Sequence, residues 1–156
     1  MRSRASIGRH PVHPALVPVP IGAFFVALVA DIACLATSHP FWPRMAGVAL
    51  AIGVAGALIA ALPGLVDFSG LAQGSRVRAI AIAHTLLNVA VVGLQSLSLY
   101  LRLRVEASPF EPGTAALALS GLALALLGAS GWLGGKMVFE LGAGVTAPPE
   151  ATRQGS

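Results

Sequence analysis

Apolar residues fill four long stretches of the chain, and polar residues gather between them. The stretches cover about 16–37, 45–68, 77–101 and 114–135, the last continuing toward Leu141. Each is long enough for the roughly 20 helical residues that cross a bilayer core. Between them stand "SHPFWPR", "SGLAQGSR" and "RLRVEASPFEPG", short and rich in Pro, Gly, Ser or charge, as turns are. Short connections make consecutive helices antiparallel neighbours. The pattern predicts an all-α, integral membrane four-helix bundle over 16–141, preceded by an N-terminal segment, 1–15, and followed by a flexible tail, 142–156.

Composition sharpens this picture. Of 156 residues, 56% are hydrophobic and 10% are charged, against about 25% charged in a soluble domain. A chain this short has too much surface to hide that apolar content in a water-bounded core. Sparse aromatics and abundant Ala, Gly and Leu suit closely packed helices rather than a barrel with aromatic girdles. Cys34, the single cysteine, sits in an apolar run and reads as a small buried hydrophobe. A cleaved signal peptide fits poorly. Arg2, Arg4 and Arg9 precede an apolar stretch, but Asp31 interrupts it and no A-x-A site follows.

Charge sets the expected orientation. Arg2, Arg4, Arg9, Arg76, Arg78, Lys136 and Arg153 fall on the side of both termini, and Arg44, Arg102 and Arg104 on the other. The positive-inside rule then places both termini in the cytoplasm. Phe41, Trp42 and Tyr100 belong at the outer interface, and Phe68, Trp132 and Phe139 at the inner one. The basic residues are scattered singly, which argues against a nucleic-acid partner.

Small residues mark the second and fourth spans. Gly53 and Gly56 lie in "GVALAIGVAGALIAALPG", and Gly128, Gly131 and Gly135 in "SGLALALLGASGWLGG". Such positions let helix backbones approach, either within the bundle or against another protein.

Ionisable residues inside a span cost on the order of 2.5–3.5 kcal/mol at mid-membrane, so each needs a reason. His13 opens span one, Asp67 closes span two, and His84 lies about two turns into span three. Asn88 shares the face of His84, and Gly134, Gly135 and Lys136 close span four. All four spans thus bring polar or backbone-exposing groups to one layer. As a plug, Asp67 caps span three or pairs with Arg76 or Arg78. As a binding site, the layer offers His84 and His13 to haem iron or another metal, with Asp67 and Asn88 beside them, or His84 and Asn88 to a quinone carbonyl. Asp31 stands apart in the other half of span one, with Arg44, Arg102, Gln95 or Ser96 as candidate partners. His39 falls in a solvated turn.

"HPALVPVPIG", "GLVDFSGL", "HTLLN" and "GWLGGKMVFELGAGV" together resemble the bacterial membrane-protein family called domain of unknown function 2231, over about residues 10–146. The resemblance implies four transmembrane helices in the bacterial inner membrane, and a redox context, since members occur fused to or encoded near Rieske-type and cytochrome-type proteins. Its polar marks fall on His13, Pro14, Pro20, Gly22, Asp67, His84, Asn88, Gly134 and Gly135. Leu141 stands where many members carry a histidine, so a metal site needing that ligand would lack it here, with His10 as the nearby spare.

No hydrolase triad, P-loop, dinucleotide fingerprint or metalloprotease motif is present. The expected function is a non-catalytic membrane subunit or anchor in a larger redox or energy-converting assembly, with the bilayer and other subunits as partners. A haem b or quinone-binding electron carrier, using His84 with His13 or His10, is the alternative. A small-solute transporter is a third reading, disfavoured because four spans show no inverted repeat.

Overall fold

A computed structural model describes residues 3–8, 10–104 and 114–144. Arg2, Arg9, Arg153, the span-three to span-four connection beyond Arg104 and most of the expected tail lie outside the described residues. A two-stranded hairpin comes first, β1 (Ser6–Ile7) against β2 (His10–Pro11), antiparallel. Then follow α1 (Val12–Leu16), α2 (Pro18–Thr37), α3 (Phe41–Ser69), α4 (Arg76–Arg104) and α5 (Thr114–Phe139). The four long helices pack antiparallel to their neighbours in sequence. As candidate spans they contain 26, 29, 29 and 26 residues, roughly 40 Å each at 1.5 Å per residue. That exceeds the hydrocarbon core by about 10 Å.

The helices outrun the apolar stretches for this reason. α3 begins at Phe41 and α4 runs to Arg104, because backbone hydrogen bonds continue the helix where the side chains turn polar. The N-terminal prolines also behave differently from expectation. Residue-before-proline sterics suggest an extended entry, yet the chain is helical from Val12. Pro14, Pro18 and Pro20 each sit in a first turn, where the missing N–H costs little, while Pro11 ends β2 in an extended conformation. Pro14 lies in the first turn of α1, and Pro18 and Pro20 in that of α2. Val17, ahead of Pro18, is the short break between them. At the other turn, Ser38 adopts a left-handed conformation (φ 51°) and its N–H closes α2 onto Cys34 O at 2.7 Å.

The bundle consists of two hairpins, α2–α3 and α4–α5, each closely packed within itself and more loosely against the other. The hairpins repeat. Shifting by 71 residues carries the buried Pro20, Phe24 and Ala27 of α2 onto the buried Val91, Gln95 and Ser98 of α4. Shifting by 70 carries the buried Ala46, Leu50, Gly53 and Ala60 of α3 onto the buried Ala116, Ser120, Ala123 and Ser130 of α5. The two halves run in the same direction, so the relation is a parallel repeat about an axis along the bundle, distinct from an inverted one. Phe24, Ala27, Ala49, Leu50, Val91 and Ala123 form one apolar cluster at its centre.

Candidate functional site

A histidine clasp closes onto each hairpin at the end where α3 finishes and α4 begins. In the first, His13 Nδ1–H donates to Ala60 O at 2.8 Å. The imidazole lies over Gly64, where a Cβ would fall 2.9 Å from His13 Nδ1. In the second, His84 Nδ1–H donates to Ser130 O at 2.9 Å, and a Cβ on Gly134 would sit 3.4 Å from His84 Cε1. His13 and His84 are 71 positions apart, and their acceptors and glycines 70. In both clasps the acceptor stands four residues before the glycine, on the same helix face. The two imidazoles therefore stand at matching depth, where the sequence spacing had suggested that His84 is the deeper.

The second clasp has an extra member. Asn88 Nδ2 donates to Ser130 Oγ at 2.7 Å and His84 O at 2.9 Å, and lies 3.1 Å from His84 Nε2. The amide has two hydrogens, taken by Ser130 Oγ and His84 O at the shorter distances, so with Nδ1 as the donor the Nε2 lone pair lies against the amide nitrogen without a hydrogen of its own. Ser130 joins the clasp through its carbonyl and its hydroxyl, a role that a serine among small apolar residues does not signal in sequence.

Asp67 belongs to neither histidine, and it takes none of the expected arginines. Its Oδ1 accepts the backbone N–H groups of Arg4 (2.7 Å) and Ala5 (2.9 Å), and Ser3 Oγ donates to both carboxylate oxygens at 2.8 and 2.9 Å. Arg78 instead donates to Leu71 O at 3.0 Å and lies over the Phe68 ring. The carboxylate therefore pins the N-terminal segment to the end of α3. The single expected layer resolves into three clasps: His13 on α3, Asp67 on residues 3–5, and His84–Asn88 on α5. His10 is exposed on β2, and His39 accepts the N–H of Phe41 at the start of α3.

Glycine roles divide in the same way. A Cβ on Gly53 would overlap the Phe24 ring, and one on Gly56 would touch Pro20 and Val19 at 3.4 Å. Gly128 and Gly131, also expected to pack helices, face open space, and Gly135 meets only Phe139 of its own helix. Among the described residues no other helix approaches there, because α5 turns Ser120, Ala123 and Ser130 inward instead.

At the far end of the bundle, Asp31 selects Arg102 from its candidate partners. Two guanidinium nitrogens donate to the two carboxylate oxygens at 2.7 Å each, with the Asp31 side chain fully buried. Asp31 and Arg102 are again 71 positions apart, so the ion pair joins equivalent points of the two hairpins. From it a polar chain runs inward. Arg102 Nε donates to Ser98 Oγ (3.4 Å), Ser98 Oγ donates to Ala116 O (3.0 Å), and Ser120 Oγ links Ser98 Oγ (3.1 Å) to Gln95 Oε1 (3.3 Å).

The two clasp sequences and the α5 terminus lie within residues 9–147, which match the model of a family described as "Predicted membrane protein (DUF2231)". The chain belongs to that family. No curated protein and no solved structure matches it. In this DUF2231 protein the polar marks of the family resemblance hold elements together. His13, Asp67, His84 and Asn88 each hydrogen-bond across elements, and Gly134 makes room for one of them. Among the described residues no three His, Cys, Asp or Glu side chains cluster as metal ligands.

Proposed function

We propose that this DUF2231 protein is a non-catalytic membrane subunit or anchor of a larger assembly, of redox or energy-converting type, in the bacterial inner membrane with both termini in the cytoplasm. One observation carries the reading: the polar groups at the candidate site are engaged in joining the helices of this chain. Arg4, Arg76, Arg78 and Lys136 at the terminal end support the orientation. The open glycines of α5 offer a close-packing face to a transmembrane helix of another subunit. Their counterparts on α3 include Leu58 in place of Gly128, exposed as a lipid-facing residue is.

Affinity capture from native membranes in gentle detergent, followed by mass spectrometry, tests this. A transmembrane partner is expected with the native chain and lost with Gly128→Leu, while helix content stays unchanged. Migration as a lone monomer overturns the reading.

A haem b reading has one observation in its favour: two histidines at matching depth, each with Nδ1 tied to a carbonyl, the arrangement that orients an axial ligand. The residues do not fit as they stand. Asn88 Nδ2 stands 3.1 Å from His84 Nε2, the atom that would bind iron, and occupies the space on that side of the ring.

A further inference from the structure

The repeat lays polar residues along its own axis. From the far end inward, the positions paired between the α1–α2 stretch and α4 are Asp31 with Arg102, Ala27 with Ser98, Phe24 with Gln95, Pro20 with Val91, Val17 with Asn88, and His13 with His84. Both ends of this series are hydrogen-bonded networks, one from Asp31 to Gln95 and the other around His84, Asn88 and Ser130. Between them lies one apolar layer, in which Phe24 and Val91 are each 1% exposed. Gln95 and Asn88 flank the layer on α4, seven positions or about 10 Å apart.

Gln95 borders that layer with an unmet requirement. It is fully buried, and its Nε2 has no hydrogen-bond partner among the described residues. Turning the amide over lets Nε2 donate to Ser120 Oγ but leaves Oε1 unpaired in its place. Either way one amide atom beside the layer goes unpaired, at a cost of about 1–3 kcal/mol. Water is the usual partner of such a group.

We propose that the repeat axis is a proton path, closed at rest by Phe24, Pro20 and Val91. The reaction is transport alone. A proton enters from water at the Asp31–Arg102 end and passes along hydroxyls and intervening water to Gln95. It crosses the apolar layer when a short file of water wets it, and leaves by way of Asn88 and His84. The Ser98 and Ser120 hydroxyls and the His84 imidazole each release one proton as they take another; water carries the proton past the amides of Gln95 and Asn88, which orient that water without exchanging protons themselves, and no electron moves. Chains of carboxylate, imidazole and hydroxyl groups inside a membrane relay protons, and apolar constrictions gate by dewetting.

The inference is independent of the subunit reading, because it concerns the chain alone. The purified protein is reconstituted in liposomes with an entrapped pH dye, and a potassium diffusion potential drives proton entry. Val91→Ser, which places a hydroxyl in the layer, should raise proton flux about tenfold over the native chain, equivalent to about 1.4 kcal/mol off a barrier. Val91→Leu should leave it at the native level. Gln95→Leu added to Val91→Ser should abolish the rise, and entrapped carboxyfluorescein should stay inside throughout. Variants are compared only where circular dichroism shows native helix content, and Val91→Thr replaces Val91→Ser if that variant fails to fold. An absent rise overturns the proposal, as does a rise that survives Gln95→Leu or releases the dye. The polar residues are then interhelical glue.

Discussion

Gly64 and Gly134 show what a missing side chain does in this protein. Each leaves the surface of a helix open to an imidazole whose Nδ1–H reaches a carbonyl one turn earlier. Gly64→Ala puts a methyl group 2.9 Å from His13 Nδ1. The ring must retreat, and the bond to Ala60 O lengthens or breaks. The expected loss is about 1–3 kcal/mol, typical of overpacking. Gly128→Ala is the control, since among the described residues no neighbour lies within 4 Å of a Cβ there; its expected change is a gain of up to about 1 kcal/mol from helix propensity. Denaturant titration in detergent micelles measures both. Equal effects would mean that His13 does not rest on Gly64. The cost of polar groups in a membrane made His13, Asp67, His84 and Asn88 legible in the sequence. Their partners were not, because the acceptors of both histidines are main-chain carbonyls, which every residue carries.

At the scale of elements, the N-terminal segment is the least embedded part of the fold. Residues 3–5 meet α3 through the Asp67 carboxylate, and His13 holds the next turn. Asp67→Ala removes the acceptor for Ser3 Oγ and two backbone N–H groups. Hydrogen bonds to a charged group contribute about 1.5–3 kcal/mol each, enough together to release the segment while α2–α5 stay packed. Trypsin should then cut after Arg4 faster than in the native chain, with helix content unchanged by circular dichroism. An unaltered cleavage rate would show that the β1–β2 hairpin holds itself in place. The apolar pattern located the centre of every long helix. It did not give their ends, since backbone hydrogen bonds carry α3 and α4 beyond the apolar stretches, from Phe41 and to Arg104. Nor did it give α1, because a proline in a first turn favours the helix that the same residue would break one turn later.

The molecule as a whole is two copies of one hairpin, and few residue identities betray it. His13 matches His84 and Gly64 matches Gly134, but Phe24 faces Gln95 and Asp31 faces Arg102. What repeats is burial, which a sequence read for identity does not display. The Asp31–Arg102 pair tests the equivalence, because it joins matching points across the axis. Asp31→Ala strands a buried guanidinium and should cost about 3–5 kcal/mol. Exchanging the charges, Asp31→Arg with Arg102→Asp, places each group where the repeat puts its counterpart and should recover most of that loss. The recovery should be incomplete for one identifiable reason. Arg102 Nε also donates to Ser98 Oγ, whereas an arginine at position 31 would find Ala27 in the matching place. A deficit of about 1 kcal/mol should therefore remain, the usual net value of one hydrogen bond, and Ala27→Ser should remove it. Unfolding midpoints of the single, double and triple variants read this series in order. If the exchange is no more stable than Asp31→Ala, the two hairpins share a burial pattern without sharing an axis.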